Sequence, residues 1–140
     1  MRRWVYNPHT GGVKIPLPVR RRTEERIRRH AERHYAGRFT RLEIRFRGAL
    51  CYIDAYTEPI EPSRSMLSSL GETREHYLER LRSVPVHLCR LRYFRNEDAW
   101  SVAFYTYSHE RYEPCVFHSG DDHGTPEEAF DVGAVYLQER

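Results

Sequence analysis

Apolar side chains recur at four-residue steps in the segment that follows the first prolines of the chain. The stripe consists of Val19, Ile27, Ala31 and Tyr35. Most residues between these positions are charged helix formers, and Gly37 stands where helices often end in a left-handed residue. The pattern predicts a helix from about Arg20 to Ala36 that buries one edge and leaves most of its surface in water.

Strict alternation of polar and apolar residues then predicts a strand over residues 41–47, and a second β-type run covers residues 49–57. A turn at Arg47-Gly48 pairs Phe46 with Ala49, Ile44 with Cys51 and Leu42 with Ile53. All six side chains then share one face, so the register is self-consistent. The opposite face carries Arg41, Glu43, Arg45, Leu50, Tyr52, Asp54 and Tyr56.

Residues 86–95 and 99–108 predict a second hairpin around Asn96-Glu97. Its apolar face pairs Tyr93 with Trp100, Leu91 with Val102, and Cys89 with Phe104. Its other face carries Arg90, Arg92, Phe94, Tyr105 and Tyr107. A further short strand is expected from Tyr112 to Phe117.

The remaining segments are read from their turn and cap residues. Residues 1–18 contain four prolines or glycine pairs that interrupt regular structure, which predicts an irregular arm docked through Trp4, Val5 and Tyr6. Residues 58–71 predict a flexible loop, residues 72–83 a short helix, and Thr125-Pro126 the start of another helix before an extended end at residues 135–137. The expected fold is α+β: one domain, residues 1–140, with an antiparallel sheet of two hairpins in four or five strands, an N-terminal helix and short additional helices.

The amino-acid composition restricts the cellular compartment in which we expect this domain. The chain has 140 residues, 39% of them apolar, but its longest apolar runs are far shorter than the roughly 18 residues that span a bilayer. The first residues lack the apolar run of a secretory signal. Three cysteines without a CxxC spacing favour buried free thiols over a disulfide or a metal site. These features predict a cytoplasmic protein with no membrane contact.

The C-terminal half resembles an uncharacterised bacterial family, domain of unknown function 3024. The resemblance rests on the aromatic strand that begins at Trp100, the segment Glu110-Arg111-Tyr112-Glu113-Pro114, the helix start Pro126-Glu127-Glu128-Ala129 and the closing residues 131–136. It covers residues 86–137 and, more loosely, residues 20–59. That family has no established activity, so the resemblance implies an architecture and no chemistry.

Charge is distributed unevenly along the chain. The net charge is only +3, but residues 1–47 carry 14 basic and 4 acidic side chains, whereas residues 108–140 carry 2 and 8. Residues 19–38 alone contain eight arginines against three glutamates. Arginine forks bind phosphate and tyrosine rings stack on bases, so the sequence favours a non-enzymatic module that binds nucleic acid, without a cofactor. The candidate residues are Arg22, Arg26, Arg29, Arg33, Arg41, Arg45, Arg90, Arg92, Tyr52, Tyr105 and Tyr107.

This hypothesis requires that the arginines of the first helix face water with no carboxylates of the same chain to neutralise them. The simplest alternative is a solvated helix with internal ion pairs such as Glu25 with Arg29, over a sheet whose tyrosines are core residues. Another is a homo-oligomer or a protein-binding module, in which the acidic C-terminal third pairs with the basic segment of a second copy.

A metal-dependent hydrolase or nuclease is a further alternative. Possible ligands are dense near the C-terminus: His109, Glu113, His118, Asp121 and His123, with Cys115 and Asp122 between them. They show no HxH, HExxH or CxxC spacing. A restriction-like nuclease could instead use Asp54, but such sites usually need a lysine close by, and the only lysine, Lys14, lies in the predicted arm.

Overall fold

A computed structural model describes residues 7–137 of the chain. In that segment the helices are α1 (Leu17–Tyr35), α2 (Arg64–Leu70), α3 (Arg74–Arg82) and α4 (Pro126–Gly133). The strands are β1 (Arg41–Arg47), β2 (Leu50–Tyr56), β3 (Val86–Arg92), β4 (Ser101–Thr106) and β5 (Arg111–Cys115). The predicted α+β fold is confirmed. No helix among residues 7–137 is both long enough and apolar enough to cross a membrane.

The five strands form one antiparallel sheet in the order β1-β2-β3-β4-β5. Helices α1 and α4 pack against each other and against one face of this sheet, here called the inner face. The core between them contains Ile27, Cys51, Leu91, Trp100 and Phe130, all fully buried. The opposite, outer face of the sheet is turned away from α1 and α4.

Helix α1 buries three residues of the predicted stripe and one residue more, and Tyr35, the last residue of the stripe, is partly buried. Val19, Ile27 and Ala31 are buried, and Thr23 occupies the four-residue step between the first two of them. The helix begins at Leu17 rather than Arg20, because Pro18 lies in its first turn, where the fixed φ of proline suits a helix and no backbone donor is lost.

The predicted arm is therefore shorter, and part of it is held by the sheet. Val13 N donates to Tyr93 O at 3.0 Å, and Ile15 N donates to Gly48 O at the same distance. The predicted docking of Trp4, Val5 and Tyr6 falls outside the described residues.

The register predicted for the first hairpin is wrong by two residues. Phe46 pairs with Cys51 and Ile44 with Ile53, because the two-residue loop is Gly48-Ala49 rather than Arg47-Gly48. Gly48 has a φ of 58°, the conformation that such tight hairpin loops require at their first position. A shift of two keeps every side chain on its predicted face, and the pairs Leu91–Val102 and Cys89–Phe104 of the second hairpin are confirmed.

Three smaller predictions are corrected. Residues 58–71 are not an uninterrupted loop, because α2 lies within them, with Ser63 Oγ accepting from Met66 N at its start and Gly71 at its end. Residues 135–137 are not extended: a 3₁₀ turn, Ala134–Tyr136, follows α4. Strand β5 covers Arg111–Cys115 rather than residues 112–117. The helix start at Thr125 is confirmed, with a complete capping box to Glu128.

Candidate nucleic-acid interface

The arginines on the α4 side of α1 are paired with carboxylates of other elements. Arg22 forms two hydrogen bonds with Glu97, at 2.8 and 3.0 Å. Arg26 binds Glu127 at 2.9 Å and Asp98 at 2.9 Å. Glu97 and Asp98 belong to the β3–β4 connection, and Glu127 opens α4. The expectation that no acids of the same chain neutralise these two arginines is therefore wrong.

Further along α1, arginines pair within the helix. Arg29 donates to Glu25 at 2.6 Å and Arg28 to Glu24 at 3.0 Å, both one turn apart. The Glu25–Arg29 pair expected under the simplest alternative is thus confirmed. Arg33 forms no ion pair with another residue of the described segment, and it lines a shallow groove with His30 and His34. The positive charge of α1 is largely offset by carboxylates from three elements.

The sheet brings the other candidates together. Pairing of β2 with β3 places Tyr52 opposite Arg90, and pairing of β4 with β5 places Tyr105 opposite Tyr112. All four side chains lie on the outer face, although they come from both predicted hairpins and from the further strand that follows them. The predicted outer-face residues therefore form one continuous surface, separate from α1.

Four tyrosines, Tyr52, Tyr105, Tyr107 and Tyr112, form what we call the tyrosine cluster. Tyr112 is central: its ring centroid lies 5.4 Å from that of Tyr52 and 5.1 Å from that of Tyr105. Tyr107 packs on Tyr105 at 4.8 Å and is about half exposed. Burial, followed by the charge of Asp54, raises the pKa of Tyr112, so its hydroxyl keeps its proton at neutral pH. The cluster offers ring surface and hydroxyl donors at the solvent boundary.

The arginines of the sheet differ in the groups that interact with their positive charge. Arg45 donates to Asp54 at 3.1 Å, and the Arg41 guanidinium lies 4.0 Å from the Tyr56 ring centroid. Arg90 lies 5.4 Å from the Tyr112 ring centroid, and Arg92 donates to the carbonyl oxygen of Gly11 at 2.9 Å. Neither of these last two forms an ion pair with a carboxylate of residues 7–137.

Arg90 and Arg92 are neighbours on the same face of β3. Burial, followed by the like charge of Arg90, lowers the pKa of Arg92. Two guanidinium groups that repel each other and lack an acidic partner gain more from an added anion than paired arginines do. Arg90 and Arg92 thus combine mutual repulsion with the lack of an acidic partner in the described segment.

A β-bulge places two further polar residues on this surface. The register between β2 and β3 shifts after Ile53, so that Leu88 has no partner and His87 lies opposite Asp54. His87 Nδ1 is 2.8 Å from Asp54 Oδ1, and the His87 ring packs on Tyr105 at 4.7 Å. Asp54 is buried, whereas about a third of the His87 side chain is exposed. Strict alternation predicts Asp54 on this face but assigns His87 to the core, so the sequence pattern does not predict His87 as a site residue.

The predicted metal ligands do not converge. His109 Nδ1 lies 2.5 Å from Glu113 Oε1, but His118, Asp121 and His123 belong to the loop after β5. Within residues 7–137, no group of three histidine, cysteine or acidic side chains is close enough to hold a metal ion. The dense sequence spacing therefore does not become a ligand set in the fold.

No protein-family model, curated protein or solved structure matches this chain. The resemblance of residues 86–137 to domain of unknown function 3024 stays a prediction.

Proposed function

We propose that this protein binds single-stranded nucleic acid on the outer face of its sheet. The observation that carries the proposal is the position of Arg90 and Arg92, which lack acidic partners in the described segment, beside the tyrosine cluster. Guanidinium groups bind backbone phosphates, and tyrosine rings stack on unpaired bases whatever their sequence. Both kinds of group lie here on the sheet face that is turned away from α1 and α4.

The geometry favours a single strand over a duplex. Bases of a duplex are already stacked on each other, so rings on a sheet can reach only unpaired bases. The proposal also moves the interface away from α1, since Arg22, Arg26, Arg28 and Arg29 are held by carboxylates. A phosphate there would have to displace an existing ion pair, which reduces the gain from binding.

The free thiols of Cys51 and Cys89, both buried, support the cytoplasm as the compartment of this binding protein.

A charge-matched pair of variants tests the proposal. Binding of a fluorescent single-stranded oligonucleotide of mixed sequence is followed by anisotropy for the wild type, for Arg90→Gln/Arg92→Gln and for Arg28→Gln/Arg29→Gln, whose arginines are both paired within α1. Each double variant removes two positive charges. We expect the sheet variant to weaken binding at least about 30-fold, on the order of 1 kcal/mol for each charge-assisted contact, and the helix variant to change it little.

Salt provides the second readout. Phosphate contacts release counterions, so the affinity of the wild type should fall steeply as salt rises, and the slope should become shallower only in the sheet variant. Equal losses in the two variants would contradict the proposal. A homodimer that buries the outer face, does not dissociate as the salt concentration changes and does not bind the oligonucleotide would also contradict the proposal.

A further inference from the structure

The Asp54–His87 pair differs from the rest of the outer face because a buried carboxylate, that of Asp54, orients the imidazole ring of His87. Asp54 is buried and accepts two hydrogen bonds, from Arg45 at 3.1 Å on Oδ2 and from His87 Nδ1 at 2.8 Å on Oδ1. With Nδ1 donating to the carboxylate, the lone pair of the imidazole is on Nε2. The backbone N of His87 donates to Tyr107 Oη at 2.8 Å, which fixes the residue further.

The position of this pair connects it to the phosphate site. The His87 ring lies 6.4 Å from the Tyr112 ring, and the Arg90 guanidinium lies 5.4 Å from the same ring. A base and an uncompensated cation therefore border one tyrosine. A β-bulge produces this arrangement, and bulges often re-aim a side chain beside an active site.

We propose that the outer face cleaves RNA without a metal ion, with His87 as the general base; the proposal rests on single-strand binding at this face. His87 Nε2 takes the proton of a ribose 2′-hydroxyl, and that oxygen attacks the adjacent phosphorus. The P–O5′ bond breaks, and the leaving 5′ oxygen takes a proton from water. His87 then returns its proton to the solvent, so protons balance and the products are a 2′,3′-cyclic phosphate and a 5′-hydroxyl.

The other residues assist this step. Arg90 stabilises the negative charge that accumulates on the phosphorane oxygens. Asp54 is a positioning residue that keeps Nδ1 protonated and Nε2 available. In Asp54→Asn, Arg45 holds the amide oxygen and the amide nitrogen points at His87, which selects the tautomer with the proton on Nε2. That tautomer cannot accept the proton of the substrate.

The test uses a fluorescent single-stranded RNA and its all-deoxy counterpart, in buffer with EDTA. We expect the RNA to be cut to fragments that mass spectrometry identifies as 2′,3′-cyclic phosphates, and the deoxy strand to be bound but left intact. His87→Gln should lower the cleavage rate at least about 100-fold with unchanged binding of the deoxy strand. The matched control His109→Gln, on an exposed histidine paired with Glu113, should cleave like the wild type.

Asp54→Asn supplies a readout that a purely structural role would not give. We expect kcat to fall at least about 100-fold, as in His87→Gln, because the wrong tautomer cannot take the proton, while KM stays unchanged. Intact RNA bound by the wild type would overturn cleavage and leave the binding proposal standing, whereas failure to bind the deoxy strand would overturn the binding proposal itself. Cleavage that persists in His87→Gln would also overturn the role of His87.

Discussion

Gly133 of α4 lies against the backbone of Leu88 in β3. A Cβ atom at Gly133 would lie 2.8 Å from both the carbonyl carbon and the carbonyl oxygen of Leu88. Leu88 is the bulge residue without a partner on β2, and His87 beside it faces the opposite side of the sheet. The close packing of α4 on the inner face and the polar site on the outer face therefore meet at one point of β3.

Gly133→Ala should destabilise the protein through this contact. The added methyl group overlaps backbone atoms that cannot rotate away, so we expect the free energy of unfolding in urea to fall by about 1–3 kcal/mol. Val135→Ala, at an exposed position two residues later, is the control and should change stability by less than about 0.5 kcal/mol. Equal stability of Gly133→Ala and the wild type would contradict this account of the packing.

Thr23→Val should stabilise the protein. Thr23 is buried among apolar side chains of α1, and its hydroxyl oxygen has no hydrogen-bond partner among the described residues. Valine has nearly the same shape without the unsatisfied hydroxyl, so we expect a gain of about 1 kcal/mol in the free energy of unfolding. Thermal and urea unfolding measure it, and a loss of stability would show that the hydroxyl is satisfied.

Tyr35 should make the free energy of unfolding depend on pH in the alkaline range. Burial, followed by its hydrogen bond to Asp131 at 2.7 Å, raises the pKa of Tyr35 from 10.0 to about 12. Between these values the folded state keeps a proton that the unfolded state has released, so stability is full below pH 10 and falls as the pH rises toward 12. Tyr35→Phe should lose less stability over this window. Parallel declines in the two proteins, measured by urea unfolding, would contradict the assignment.

Replacement of Tyr52 and Tyr105 by alanine should weaken binding of single strands more than binding of duplex. Stacking contributes about 1–3 kcal/mol for each base on an aromatic ring, and duplex bases cannot reach these rings. Tyr77→Ala, on α3 and outside the tyrosine cluster, is the matched control. Anisotropy with the two oligonucleotide forms measures the effect, and equal losses for single strand and duplex would exclude stacking.

Much of the fold could be predicted because alternation along a strand determines which side chains share a face. The error in the first hairpin moved the register by two, which preserves that assignment, so Tyr52 and Arg45 were placed correctly. Helix α2 was missed although Ser63 and Gly71 stand at its ends as cap residues, because proline and serine in the same stretch favour a loop.

The site could be predicted only in part, for two physical reasons. A bulge reverses the alternation of faces along a strand, so His87 lies on the outer face rather than in the core. The sequence contains a signal for this bulge: apolar Leu88 stands where alternation expects a polar residue, and polar His87 stands where it expects an apolar one. The partners of Arg22 and Arg26 are 71 to 101 residues away in sequence. Such pairs depend on how α1 crosses α4 and the β3–β4 connection, which residue patterns do not encode.

Ultraviolet cross-linking of a bound single-stranded oligonucleotide, with the adducts located by mass spectrometry, tests the central claim most directly. We predict adducts at Tyr52, Tyr105 and Tyr112, all on the outer face. Adducts confined to α1, residues 17–35, would contradict the account, because they would place the nucleic acid on the helix in which most arginines are held by carboxylates.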